Sequence, residues 1–260
     1  MPIDGFGGAD QSLTELIQGK PIGYTPVFKF GRNTDVDSTV SESAPADIWD
    51  GGATVLVYPF PASAGALEIV SDNVNDTLLG TGARTVAVVW QDDSFVEFMA
   101  TANMNGTTAV AVDPDGYRSY RAFVVMAGST GVNEGTISIT IGGTEVAKIM
   151  PSTGQTRMAI YTIPSVTHNG DTIADAKLYQ CSGKVLRSGG TGKAEAQLRV
   201  RNNGGSWTSQ DDLVLDPKDL IDYVDGRGYP VGADIRLTAV NASNNNLVVF
   251  GNFSMRLYHG

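Results

Sequence analysis

The chain has 260 residues, 31 of them glycine, with 18% charged residues and a formal net charge of −10. That length holds one large or two ordinary domains, each able to bury a core, and the acid excess repels a phosphate backbone, so no nucleic-acid partner is expected. One cysteine, Cys181, excludes an intramolecular disulfide and any cysteine-based zinc centre, since only His168 and His259 could assist it.

The opening "MPIDGFGGADQS" has no basic segment followed by an apolar run, and no stretch approaches about 18 consecutive apolar residues, so neither a cleaved leader nor a membrane partner is expected. "SLTELIQGK" then carries a capping box, Ser12 with Glu15, and places Leu13, Leu16 and Ile17 on one helical face. So short a helix is marginal alone and must lay its stripe on something. "YTPVFKF" reads as extended, with Pro26 barring a central strand position. "FKFGRNTDVDSTVSESAPADIWDGG", Phe28 to Gly52, shows neither a helical nor a strand period, yet Phe28, Phe30 and Trp49 are too apolar for a free tail. Arg32 among the aspartates offers a charge-paired turn. The expectation for residues 1–50 is an arm with one short helix, followed by an ordered strap held by its aromatics and by neighbouring subunits.

From Gly51 the period changes to strands separated by turns at the 8–12-residue spacing of sandwiches and barrels. "ATVLVYPFP" is a candidate first strand, followed by "ALEIV", "ARTVAVVW", "SFVEFMAT", "TTAVAV", "YRAFVVMA" and "GTISITIGG". "VVWQDDSFVEF" reads as a hairpin and "DPDGY" as a turn. Pro151 and Gly154 in "MPSTGQ" mark the expected boundary. Beyond it, "TRMAIYTIP", "IADAKLYQC", "EAQLRVRN", "SWTSQDDLVL", "DIRLTAVN" and "NLVVFGNFSMRLYH" are further strands, with a hairpin turn at "NNGGSW" and a polar connection at "NASNNN". One helical turn or two is expected at "DPKDLIDYV". The fold class is therefore all-β, two β-sandwich (jelly-roll-like) domains in tandem at residues 51–150 and 151–260, preceded by the extended arm.

No chemistry emerges from the motifs. "DPDGY" begins like a calcium loop, but the twelfth position from Asp113 is Val124 rather than Glu. "SGGTGKAE" has Arg187 where a phosphate loop needs its first glycine and Ala194 where it needs Ser or Thr. His168 lies in a polar turn and His259 at a fraying end, so neither suits a catalytic triad. The pairs Asp92-Asp93 and Asp211-Asp212 are adjacent, hence on opposite faces of a strand, and read as solvated charges. Arg199 and Arg201 beside Lys193 read as one solvated strand face. No cofactor and no catalysis are expected. Trp49, Tyr58 and Phe60 gather where arm meets first domain, and two readings stay open for them: exposed anchors for a partner, or a plug over the end of the first sandwich.

The ordered blocks "FGRNTDVDS", "DIWDGG", "YPFP", "LEIVSDNVNDTLLGTGARTV", "NGTTAV", "YRSYRAFVVMAGSTGVNEGTISI" and "GQTRMAIYTIP" resemble a family of virion structural proteins of tailed bacteriophages over roughly residues 28–164. The chain departs from that pattern at "SVTHNGD" and between Asp216 and Pro230. The resemblance implies a non-enzymatic capsid cement or decoration protein, commonly a trimer, made in the host cytoplasm and placed on the capsid surface with the major capsid protein as its partner. Its arm, threading between subunits, implies partner contacts at Leu13, Leu16, Ile17, Phe28, Phe30, Arg32, Trp49, Tyr58 and Phe60, and removal of residues 1–50 should leave both domains folded. The alternative is a head-fibre, tail-adaptor or adsorption protein that recognises a host glycan or receptor through "NNGGSW" and "VDGRGYP". A virion-borne glycan hydrolase rests on fold analogy and carboxylates alone.

Overall fold

Leu247 to His259 alternate buried and half-buried side chains with almost unbroken period two, the mark of a strand with one face in a core. That alternation recurs along most of the chain. The computed structural model describes residues 23–51, 57–186 and 192–260, and their regular elements are all strands. In chain order these are β1 (Tyr24–Val36), β2 (Ala46–Asp47), β3 (Gly65–Ser71), β4 (Ala83–Gln91), β5 (Glu97–Asn103) and β6 (Val110–Gly116). Next come β7 (Arg118–Ala127), β8 (Ile137–Ile141), β9 (Thr144–Ile149), β10 (Ile160–Thr162) and β11 (Ile173–Leu186). The chain closes with β12 (Ala194–Arg201), β13 (Thr208–Leu215), β14 (Lys218–Tyr229), β15 (Asp234–Ala242) and β16 (Leu247–His259).

The strands form four antiparallel sheets. A four-stranded sheet β6-β3-β8-β9 faces a three-stranded sheet β5-β4-β7, with β7 lying against β9 and β5 against β6. Between them sit Leu67, Ile69, Val86, Val88, Ile137 and Ile139. A second pair stacks the sheet β1-β16-β11-β14 on the sheet β10-β15-β12-β13, where β2 also pairs β15. Leu198, Leu213, Leu237, Val249 and Phe253 fill that second interior. Each buried Leu, Ile or Phe contributes on the order of 1.5–3 kcal/mol, the term that holds such a strand-and-turn chain together. The all-β class and the sandwich architecture therefore stand as expected.

Several local expectations change. The first part of the stretch from Phe28 is a strand rather than a non-repetitive strap, whereas residues 37–45 and 48–51 carry no strand, as expected. Tyr24–Val36 is a thirteen-residue edge strand in register with β16, from Tyr24↔Tyr258 to Arg32↔Phe250. Pro26 is tolerated because β1 has a strand on one side only. Gly31 is needed where β1 crosses residues 48 and 159, since a Cβ there would lie 2.1 Å from the Ile48 carbonyl oxygen. Because β1, Ile48 and Trp49 belong to the second sandwich's sheet and core, removing residues 1–50 would not leave both domains intact.

"DPKDLIDYV" is not helical but the first half of β14. Its 220/222/224 positions face out and 219/221/223 face the core, so period two prevails over the short helical spacing. "DPDGY" is not a turn: β6 runs through Gly116, and the chain passes to the other sheet at Tyr117, with Asp113 Oδ1 accepting from the Asp115 amide at 2.9 Å. Residues 57–61 of the expected first strand carry no strand, and residues 52–56 lie outside the described residues. His259 does not fray, because β16 pairs with Ile173 to the end. The helix expected at Ser12 to Lys20, with Leu13, Leu16 and Ile17, also lies outside the described residues.

Candidate functional site

The aromatics at the start of the first domain face inward. Trp49, Tyr58 and Phe60 are buried, stacked edge-on at centroid separations of 5.5 and 4.6 Å. Phe60 holds a left-handed backbone, φ 40°, uncommon for an aromatic and sustained here by its clamped ring. Arg201 lies over both Phe60 and Trp207 at 4.6 Å, and Arg236 over Trp207 at 3.9 Å. Asp234 takes Arg201 at 2.7 Å and Arg118 at 3.8 Å, while Asp47 takes Arg236 at 2.9 Å and the Tyr58 amide at 2.7 Å. Burial pushes the Asp47 carboxyl up to about 6 against the pull of Arg236, and pushes Tyr58 far above the usual phenol range.

This buried ladder of arginines, aspartates and rings joins β7 of the first sandwich to β12 and β15 of the second. Of the two readings of Trp49, Tyr58 and Phe60, the packed one describes their placement, and none presents its ring to an outside partner. Arg201 is likewise no part of a solvated basic face, because its guanidinium lies on two aromatic rings. Nothing in the one-dimensional spacing of residues 49, 58, 60, 201 and 236 announces that they meet.

Phe28 and Phe30 are placed otherwise. They stand on the outer side of β1, 66% and 39% exposed. Across the sheet, Phe28 is in line with Ser254, Gln180 and Asp222, and Phe30 with Asn252, Ser182 and Leu220. Arg32 is in line with Phe250, Lys184 and Lys218, and its own guanidinium reaches Asp50 at 3.4 Å. Phe30 stacks on Phe250 at 5.9 Å. Leu220, at 51% exposure, and Val224, at 92%, extend the apolar area along β14, and Leu186 borders it on β11. A depression of about 650 Å³ lies among Phe30, Lys184, Leu186, Lys218, Leu220 and Phe250. An antiparallel sheet normally turns polar residues to water. The centre of this outer face follows that rule with Gln180, Ser182, Asn252 and Ser254, while Phe28, Phe30, Phe250 and Leu220 add aromatic and aliphatic area around it.

A second exposed apolar group lies at the far end of the first sandwich. The loop between β3 and β4 is braced by buried Asp76, which accepts from Ser71 Oγ (2.6 Å) and the amides of Ala83 (2.7 Å), Glu134 (2.9 Å) and Gly135 (2.9 Å). That frame presents Val74, Leu78 and Leu79 to solvent, Leu79 at 88% exposure. The sequence reading passed over these three, although "NVNDTLLG" places apolar residues inside a turn-rich stretch, a recognisable signal.

Neither histidine forms a catalytic set. His168 Nδ1 rests against Glu97, and His259 Nε2 lies 2.9 Å from Thr25 Oγ1 and 3.8 Å from Asp171. Among the described residues no group of three His, Cys, Asp or Glu side chains could hold a metal ion, and no helix is long and apolar enough to cross a membrane.

No family model matches the chain, and no curated protein matches it. Among solved structures, the VP2 subviral particle of infectious bursal disease virus is similar at 12% identity and a TM-score of 0.25, over 90% of this chain and 72% of that one. The exported protein XepA of PBSX is similar at 11% identity and a TM-score of 0.19, over 88% of this chain and 84% of that one. The empty virus-like particle of cowpea mosaic virus follows at 10% and 0.22, over 78% and 84%. Superpositions this slight carry no argument about activity or partners.

Proposed function

We propose that this chain is a non-enzymatic structural component of a tailed-phage virion, a cement or decoration protein that binds the outside of the capsid and assembles as a homotrimer. The observation that carries the reading is the outer face of β1-β16-β11-β14. It sets Phe28, Phe30, Phe250, Leu220 and Val224 among lysines on one broad sheet surface. Burial of such a face against the major capsid protein adds interface across subunit boundaries, and its aromatics are the residue type that anchors interfaces. The resemblance of residues 28–164 to phage virion proteins supports the same reading.

Co-sedimentation of the purified chain with undecorated capsid shells of its own virion tests it. Wild-type protein is expected to saturate the shells at hundreds of copies per particle, and Phe28→Ser combined with Leu220→Ser to lower affinity about 10-fold or more. Both substitutions lie outside the core, so the circular-dichroism spectrum should not change. A handful of copies at one vertex would favour the fibre or tail-adaptor reading. Unchanged occupancy by the double variant would remove this face from the contact.

A further inference from the structure

A cleft of about 560 Å³ opens between the two sandwiches, along the side of β1 that faces away from β16. β1 forms one wall, and Arg121 of β7 and Glu97 of β5 stand on the other. Lys29 enters from β1, and its Nζ lies 4.6 Å from the ring centre of Tyr161 and 5.4 Å from that of Tyr120. Both rings are buried. Two aromatic faces stabilise the ammonium from behind but accept none of its three N–H donors in conventional hydrogen bonds. Among the described residues Lys29 forms no ion pair. It also donates no hydrogen bond to them.

A half-buried cation whose donors find no partner among the neighbouring side chains is best completed by an anion. Glu97 does not do so: its carboxylate is engaged by the His168 ring. Its charge nonetheless acts within the cleft, and this selects among anions. A dianion such as phosphate meets Glu97 with twice the repulsion of a monoanion. The remaining walls include Phe28, Phe30, Val27 and Met158, which favour a carbon body over a bare ion.

We propose that the cleft between the sandwiches is a binding site for a carboxylate with an apolar body. Its oxygens take the donors of Lys29 and Arg121, and its carbon chain lies against Phe28, Phe30 and Met158. The carboxylate belongs either to a free organic acid or to an acidic side chain of an extended polypeptide running along the edge of β1 over residues 25–29, short of the bridge between Phe30 and Met158. Phe28 and Phe30 border both this cleft and the outer sheet face, but Lys29 and Arg121, which take the carboxylate, lie off that face, and the site is argued without the proposed virion role.

Burial lowers Lys29 to about 8, with Glu97 raising it and Arg121 lowering it further. Tyr120 and Tyr161, the other titratable groups against the ammonium, are held far above the phenol range by burial, and His168 lies behind Glu97. A bound carboxylate favours the protonated lysine, so affinity falls as pH rises through about 8.

Titration calorimetry on the full chain tests the site with four probes: hexanoate, a blocked peptide Ac-Val-Asp-Val-NH₂, its Asn counterpart, and inorganic phosphate. Hexanoate or the Asp peptide is expected to bind, with the Asn peptide and phosphate at least 10-fold weaker. The probe that binds more tightly identifies the source of the carboxylate. Lys29→Met should weaken binding about 10-fold or more, Glu97→Gln should not weaken it, and wild-type affinity should drop about 10-fold between pH 7.5 and 9.5. That pH profile needs no variant, so it decides the matter even if Lys29→Met does not fold. Equal binding by Lys29→Met, phosphate binding as tight as the carboxylates, a flat pH profile, or no carboxylate binding at millimolar concentration would overturn the proposal.

Discussion

Asp47 and Arg236 show at the scale of single residues how much of this molecule depends on buried charge. Their ion pair, at 2.9 Å, has side-chain exposures of 4% for the arginine and 0% for the aspartate. Arg236→Met would leave Asp47 buried without its guanidinium, so that it takes up a proton or stays unpaired, a loss of up to about 3–5 kcal/mol, whereas Asp47→Asn made together with Arg236→Met should recover much of it. Chemical denaturation of the two single variants and the double variant measures both effects through the double-mutant cycle. The sequence shows an aspartate in "DIWDGG" and an arginine in "DIRLTAV", and nothing in either neighbourhood connects them. What was legible at this scale was residue type. Phe28 and Phe30 were expected to face a partner and do stand exposed on an edge, while Trp49, Tyr58 and Phe60, equally aromatic, lie in the interior. An aromatic side chain suits a core and an interface for the same reason, its large apolar area, so composition cannot separate the two.

Among the elements, β1 decides the most. Period two is weak in "YTPVFKFGRNTDV" because its outer positions carry phenylalanines and its inner ones a lysine and a glycine, so alternation of hydrophobicity does not mark the strand. Its pairing with β16 makes it part of a sandwich whose other strands, the two-residue β2 apart, begin more than a hundred residues later. Removal of residues 1–36 is therefore expected to strip the edge from β16, open the core beneath it and abolish cooperative unfolding of the second sandwich. Phe28→Ser in the full chain should leave the melting temperature within a few degrees of wild type. Thermal unfolding followed by near-ultraviolet circular dichroism distinguishes the two. β14 teaches the complementary lesson. Pro217 followed by Leu220, Ile221 and Val224 mimics a helical start, yet a neighbouring strand with open hydrogen-bonding groups, β11, is a stronger determinant than local spacing in so short a segment.

For the whole molecule, the meeting of the two sandwiches produces features that neither has alone: the arginine and aromatic ladder, and the cleft that holds Lys29. The second has a measurable signature in stability. Lys29 sits at about 8 in the folded chain against 10.5 for an ordinary lysine, so between those values the unfolded chain binds more protons and stability rises with pH. Tyr120 and Tyr161 act in the opposite sense. Their folded values are raised, so their contribution is complete below the ordinary 10.0 and fades above it. Cys181, raised by burial from 9.0 to about 11, acts in the same sense as the tyrosines, so urea midpoints are expected to climb from pH 8 only to about pH 9. Lys29→Met should flatten that climb and be the more stable form at pH 7.5, because it removes the cost of burying the charge.

The amino-acid sequence by itself determined the class of this protein: glycine-rich turns and period-two runs from residue 65 onward admit little except antiparallel strands, and the hairpins at Gln91 to Glu97 and at Asn202 to Trp207 followed from their turns. Tertiary structure alone decided which strands share a sheet, which aromatics are inside, and that Lys29 and Glu97 enter one cleft. The physical reason is that alternation tells a strand it has two faces without saying what covers either. Pairing partners are set by a core assembled from residues as distant as Val36 and Leu247, and no local pattern encodes that distance.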